Sequence, residues 1–140
     1  MGKIKRFEDF DFWQRARALN QEIYKIMNYE GLSKDYKLKE QMNGSSGSIM
    51  DNIAEGFERD GSKEFKNFLG YSKGSAGELK SQLYRALDRN YITKEEFDKL
   101  YDETDQMGRM IGGFMNYLKI TEFKGNKFKE PETPYGLTGN

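Results

Sequence analysis

The sequence predicts an all-α protein, an antiparallel up-down-up-down four-helix bundle followed by a short irregular C-terminal tail. Three observations carry this. In four separate segments apolar residues recur at steps of three and four, the period of a helix with one buried face. The segments are joined by brief connections, which make successive helices antiparallel neighbours. Charged residues make up 33% of the chain, a share that suits helices with solvated outer faces better than a buried parallel sheet. At 140 residues the chain has room for one core, burying roughly 68–70% of its unfolded surface. The bundle is assigned to 1–120 and the tail to 121–140.

The first helix is expected over about 9–30. Phe12, Ala16, Leu19, Ile23 and Ile26 form one stripe, with Asp9 as N-cap and Gly31 as C-terminal stop. Trp13 lies beside the stripe and reads as core, as aromatic side chains at this spacing usually do.

The second helix is expected over 33–57. Its middle, Asn43-Gly44-Ser45-Ser46-Gly47-Ser48, has a linker's composition, and each interior glycine costs about 1 kcal/mol. Yet Leu38, Met42, Ser45, Ile49, Asn52 and Gly56 keep the helical step straight through it. A continuous helix with a locally weak centre is therefore expected, the small residues letting a neighbouring backbone come close; a flexible linker is the alternative.

The third helix is expected over 62–90, with Ser62 as N-cap and Glu64 in the first turn. Its seam runs through Phe65, Phe68 or Leu69, Ser72, Ala76, Leu79, Leu83, Ala86 and Asn90. The fourth is expected over 93–119, opened by the capping box Thr93-Lys94-Glu95-Glu96. Phe97, Leu100, Thr104, Met107, Ile111, Phe114 and Leu118 then give the cleanest stripe in the chain. Beyond it Gly125, Pro131, Pro134, Gly136 and Gly139 follow without periodicity, so the tail is expected to be extended or disordered. Its Phe123, Phe128 and Tyr135 are candidates to dock on a neighbour.

The residue inventory narrows the chemistry. The chain has no cysteine and no histidine, which excludes Cys and Ser-His nucleophiles, ordinary zinc sites and the Glu-x-x-His di-iron motif. No catalytic residue, metal or cofactor is assigned. Lys plus Arg and Asp plus Glu number 23 each, so no global field draws in nucleic acid or membrane. With no long apolar run and no signal-peptide pattern at the N-terminus, a cytoplasmic protein is expected.

Charge is uneven only in the third helix, where Lys63, Lys66, Lys73, Lys80, Arg85 and Arg89 face Glu64, Glu78 and Asp88. Lys66, Lys73 and Lys80 are seven apart and share a face, interleaved with Gly70 and Gly77 and followed by Tyr84. Such a strip can lie along a phosphate backbone, and Lys63, Lys66, Lys73, Lys80 and Arg85 are the candidate nucleic-acid contacts. The alternative is a solvated face, or a subunit contact whose lysines pair with Asp98, Asp102 and Asp105. In the second helix Asn52 falls on the seam, where a buried Asn fixes register and partner choice. Glu55 and Glu78 are open to a paired-carboxylate reading, though a structural polar network fits better without histidine.

Ser48-Ile49-Met50-Asp51-Asn52-Ile53-Ala54-Glu55-Gly56-Phe57-Glu58-Arg59, followed by Lys63-Glu64-Phe65 and Phe68-Leu69, resembles the signature of the 23S rRNA intervening-sequence proteins, a four-helix-bundle family. The resemblance extends to Phe7-Glu8-Asp9-Phe10, to Trp13 with Ala16, to the segment from Gly74 to Leu79 with Gln82-Leu83, and to Tyr91-Ile92. It implies a left-handed bundle, a homopentameric ring and no enzyme activity; some members are encoded within inserts in bacterial 23S rRNA genes. Structured RNA or a ribonucleoprotein is the implied partner, a protein-interaction scaffold the alternative. Ser48, Asn52, Ile53, Glu55, Gly56, Phe65 and Glu78 are the residues assigned to the structural signature and assembly. Relatives carry a basic pair ahead of the Ser-Ile element, where this chain has Met42-Asn43-Gly44-Ser45-Ser46, which weakens the RNA implication.

Overall fold

The computed structural model describes residues 3–121 and is helical throughout, with no strand among the described residues. A 3-10 turn, Phe7–Asp9, leads into α1 (Asp11–Met27). The short α2 (Glu30–Lys34) follows, then α3 (Tyr36–Glu58), α4 (Ser62–Asp88) and α5 (Lys94–Ile120). The expected tail lies outside the described residues, apart from Thr121. Among the described residues no helix is long and apolar enough to cross a membrane.

The first long helix is shorter than its apolar stripe suggests, because tertiary contacts set both ends. Asp9 does not cap α1; its carboxylate accepts the backbone N–H groups of Lys5 and Arg6 at 2.9 and 3.1 Å and so ties down the 3-10 turn, leaving Phe10 as the residue before α1. Trp13 packs edge-on against Phe7 of that turn, ring centroids 5.0 Å apart. Gly31 is not a stop but lies inside α2. A Cβ there would come within 2.7 Å of Tyr91 Cδ1, so the position is small because the α4–α5 connection passes over it.

The linker-like stretch of α3 is helical from end to end, because its serines are seam residues. Ser45 and Ser46 are buried, and Ser46 Oγ accepts from Asn20 Nδ2 of α1 at 3.0 Å. On the α4 side Ser72 Oγ donates to the Ile49 carbonyl at 2.7 Å, and Ser75 Oγ lies 2.9 Å from Ser48 Oγ. Small hydroxylated side chains thus allow close helices while keeping their polar atoms paired.

Helix α4 starts one residue earlier than a Ser62 cap would place it. Gly61 precedes it in the left-handed region at φ 97°, where glycine carries no steric penalty, and Ser62 is already helical. α5 begins with the expected capping box, the Glu96 N–H donating to Thr93 Oγ1 at 3.0 Å and the Thr93 N–H to Glu96 Oε1 at 2.8 Å.

The core is one continuous cluster. At one end Phe10, Phe12, Phe57, Phe65, Phe114 and Tyr117 form a chain of ring contacts with centroids 4.8–5.9 Å apart. At the other end a single carboxylate joins three segments. Asp35 Oδ1 accepts the Leu38 N–H at the start of α3, and Oδ2 accepts Arg89 Nη1 and the Tyr91 hydroxyl, both at 2.8 Å. The Tyr91 hydroxyl foremost, with the Leu38 N–H and the Arg89 guanidinium, holds the Asp35 carboxyl below its ordinary value.

A group whose folded pKa lies below its unfolded value of about 3.9 stabilises the protein above that pH and loses this contribution as pH falls through the folded value. Asp35→Asn should therefore lower stability at neutral pH and flatten the loss of stability below about pH 4. Urea melts of both proteins from pH 7 down to pH 2 test this; parallel acid slopes would show that Asp35 carries no such linkage.

Candidate functional site

Helix α4 has two flanks of different chemistry. Toward α5 lie Lys73 and Lys80, and Lys66, seven residues before Lys73 on the same helix, continues that face. Lys73 runs its stem over Gly112, where an added Cβ would sit 3.2 Å from Lys73 Cε; the glycine makes room for the lysine. Lys80 Nζ reaches Asp105 Oδ1 at 2.9 Å and stands 5.3 Å from the centre of the Tyr101 ring. Arg109 binds the other oxygen of Asp105 at 3.0 Å. Lys80 first, then Arg109, holds the Asp105 carboxyl below its ordinary value. Two cations therefore share one anion.

Of the three acids named for a subunit contact with this strip, Asp105 pairs with it within the chain itself. Asp98 pairs with Lys94 and Asp102 accepts from Gln106, both within α5. Among the described residues Lys63, Lys66 and Lys73 have no carboxylate within ion-pair distance. Beside the strip, half-exposed Tyr84 packs on Phe97 and Tyr101, with centroids 4.8 and 5.7 Å away. The basic strip thus ends on aromatic rings, and a shallow cavity of about 210 Å³ opens between Lys73, Lys80, Asp105 and Gly108.

Arg85 does not belong to this strip. Its Nη1 donates to Gln41 Oε1 of α3 at 2.8 Å, on the opposite flank. Lys63 is exposed near the start of α4.

Toward α3 the surface is an open groove of about 550 Å³. Gln41, Gly44, Ser45 and Ser48 form one wall, with Ser75, Glu78, Ser81, Gln82 and Arg85 opposite. Gln82 is only 8% exposed, and its Oε1 has no hydrogen-bond donor in the structure. A buried acceptor without a donor costs about 1–3 kcal/mol.

Bare glycine positions are spread over α3 and α4: Gly44 lines this groove, Gly47 a neighbouring hollow with Asn20 and Asp51, and Gly77 the cavity beside Lys73 and Lys80. A Cβ added at Gly44, Gly47, Gly74 or Gly77 would meet nothing within 4 Å, and none of the four has a positive φ. An interior helix glycine costs about 0.5–1 kcal/mol against alanine, so the four together forgo about 2–4 kcal/mol with no return inside the chain.

The signature residues divide between core and surface. Ile53 and Phe65 are fully buried. Gly56 lies where α3 and α4 almost touch, and a Cβ there would come within 2.5 Å of Phe68 Cβ. Asn52 is half-buried at the edge of the seam, its Nδ2 donating back to the Ser48 carbonyl at 2.9 Å and to Ser48 Oγ at 2.8 Å. The hydroxyls of Ser48, Ser72 and Ser75 make the contact across the helices. Glu55 is exposed and pairs with Arg59 at 2.9 Å, whereas Glu78 stands in the α3–α4 groove. No group of three or more potential metal ligands occurs among the described residues.

Sequence reasoning passed over Gln82 and the Asp35 junction. Gln82 had a signal, a polar residue seven positions after Ser75 on a seam edge. Asp35 had another, a residue of N-cap type three positions before the first buried residue of α3.

A family model described as 23S rRNA-intervening sequence protein matches residues 8–113. Among solved structures, the chain resembles a protein of unknown function from the S23 ribosomal protein family of Bacteroides thetaiotaomicron. The two are 20% identical over 74% of this chain and 97% of the other, with a TM-score of 0.69, a likeness of fold. No curated protein matches the chain significantly.

Proposed function

Because the chain belongs to the family of 23S rRNA-intervening sequence proteins, we propose that it is a non-enzymatic assembly protein that binds structured RNA. In this reading the four long helices form a left-handed, up-down-up-down bundle; contacts that descend α4 as they ascend α3, from Arg85–Gln41 to Ser72–Ile49, support the antiparallel run of that pair. Copies assemble into a cytoplasmic homopentameric ring that presents the α4–α5 face outward. The observation that carries the RNA reading is the Lys66–Lys73–Lys80 strip, in which two lysines have no acidic partner and the third shares its acid with Arg109. Phosphates supply the missing anions, and Tyr84 and Tyr101 give bases a surface to stack on.

The test is binding of labelled rRNA fragments at 50 and 200 mM salt. Each neutralised duplex phosphate contributes a slope of about −0.9. Three contacts therefore weaken binding by about 40-fold across that range, and Lys66→Glu with Lys73→Glu and Lys80→Glu should abolish that dependence. Binding that survives the triple substitution unchanged would place the RNA elsewhere. No binding even at low salt would favour the second reading, a protein-interaction scaffold, which draws its support from the bare α3–α4 face.

A further inference from the structure

The lysine strip of α4 ends on features that a plain basic face lacks. Lys73 and Lys80, one heptad or about 10.5 Å apart along the helix axis, line the cavity of about 210 Å³ together with Arg109 and Asp105. Three cations there face one carboxylate, since Lys80 and Arg109 both bind Asp105. Glycine keeps the depression open: a Cβ at Gly77 would meet nothing within 4 Å, and one at Gly108 would meet Ala76 Cβ at 4.0 Å. An open seat with an excess of cationic donors suits a phosphate group. One helical turn beyond Lys80, on the same face, stands Tyr84, 50% exposed. An exposed tyrosine alone is ordinary, but this one is fixed in place. Phe97 and Tyr101 hold its ring at centroid distances of 4.8 and 5.7 Å, and Lys80 Nζ lies 5.3 Å from the centre of the Tyr101 ring. A ring fixed in advance gives up little freedom when a flat group settles on it.

We infer that this end of the strip takes an unpaired RNA strand, one phosphate seated in the cavity and the neighbouring base stacked on Tyr84. This rests on the RNA half of the proposed function and narrows the ligand to the loops, bulges and ends of a structured RNA. In an A-form stem the bases cover one another's faces, the deep major groove admits no side chain, and the minor groove offers only base edges and 2′-hydroxyls. A tyrosine ring gains nothing there. An unpaired base has a free face, and stacking it on an aromatic ring changes affinity by about 5- to 150-fold. Lysines bind the phosphates of stem and loop alike; the fixed ring beside them is what distinguishes the two.

Fluorescence anisotropy of the full chain at low salt is the test, with three labelled probes: an unpaired RNA of about eight nucleotides, its duplex with the complementary strand, and an abasic strand of equal length. Circular dichroism confirms that each variant folds. Wild type should bind the unpaired strand about 5- to 150-fold more tightly than the abasic one, a comparison that needs no variant. Tyr84→Leu should remove that advantage while leaving the duplex and abasic affinities unchanged, and Tyr84→Phe should bind as wild type does. Gly77→Leu, which meets nothing inside the chain at its Cβ, should weaken the unpaired strand with no change of charge. Equal affinity for the unpaired and abasic strands, or a Tyr84→Leu variant that loses as much on the duplex, would overturn the inference while leaving RNA binding through the lysines intact. Unchanged binding by Gly77→Leu would overturn the phosphate seat. A wild-type chain that binds none of the three probes would overturn both this inference and the RNA reading.

Discussion

Phe114→Ala should cost about 3–5 kcal/mol, the range for removing a fully buried phenylalanine. Phe114 is 1% exposed and touches four rings, Phe10, Phe12, Phe65 and Tyr117, at centroid distances of 5.2 to 5.9 Å. Those rings come from α1, α4, α5 and the segment before α1, so the cavity opens where the helices converge and no single side chain can move in to fill it. Against a total stability of about 5–15 kcal/mol, the loss is a large fraction of what holds the chain folded. Phe114→Leu keeps most of the volume and should cost about 1 kcal/mol. Urea melts of the two variants test this; a loss below 1 kcal/mol for the alanine variant would mean that the aromatic end is not a continuous core.

Gly56→Ala should destabilise by about 2–3 kcal/mol, the upper part of the range for overpacking. The new Cβ would lie 2.5 Å from Phe68 Cβ and 3.1 Å from Phe65 Cδ1. Phe68 Cβ is fixed to the α4 backbone and cannot rotate away, so α3 and α4 must separate next to the turn that joins them. Gly44→Ala in the same helix meets nothing within 4 Å and should stabilise the isolated chain by about 0.5–1 kcal/mol. One substitution made twice in one helix thus has opposite expected signs. Thermal melts of dilute protein decide it, and a stabilised Gly56→Ala would refute the close crossing.

Helix periodicity and capping chemistry carry much of this fold in plain view. α5 is legible from its capping box and unbroken stripe, and α3 from a step that persists through Gly44 and Gly47 despite their poor propensity. What depends on distant parts of the chain is not legible. Asp9 satisfies the expected cap chemistry but spends it on the preceding turn. Gly31 looks like a helix stop only until Tyr91 lies over it. The candidate site shows the same division. Seven-residue spacing puts Lys73 and Lys80 on the flank where both meet α5, but counting charge along the helix does not distinguish that flank from the one holding Arg85. Nor does spacing reveal that Asp105 serves both Lys80 and Arg109, or that Gln82 buries an acceptor with no donor, because each depends on which helix lies alongside.

The chain has one tryptophan, and its half-buried indole leans on Phe7 in the turn before α1. Intrinsic fluorescence excited at the tryptophan band therefore reports one corner of the molecule, the seating of the N-terminal turn on α1. Ligands arriving at the lysine strip or at the α3–α4 groove meet other helices, so a signal from either place has to come from a dye attached there.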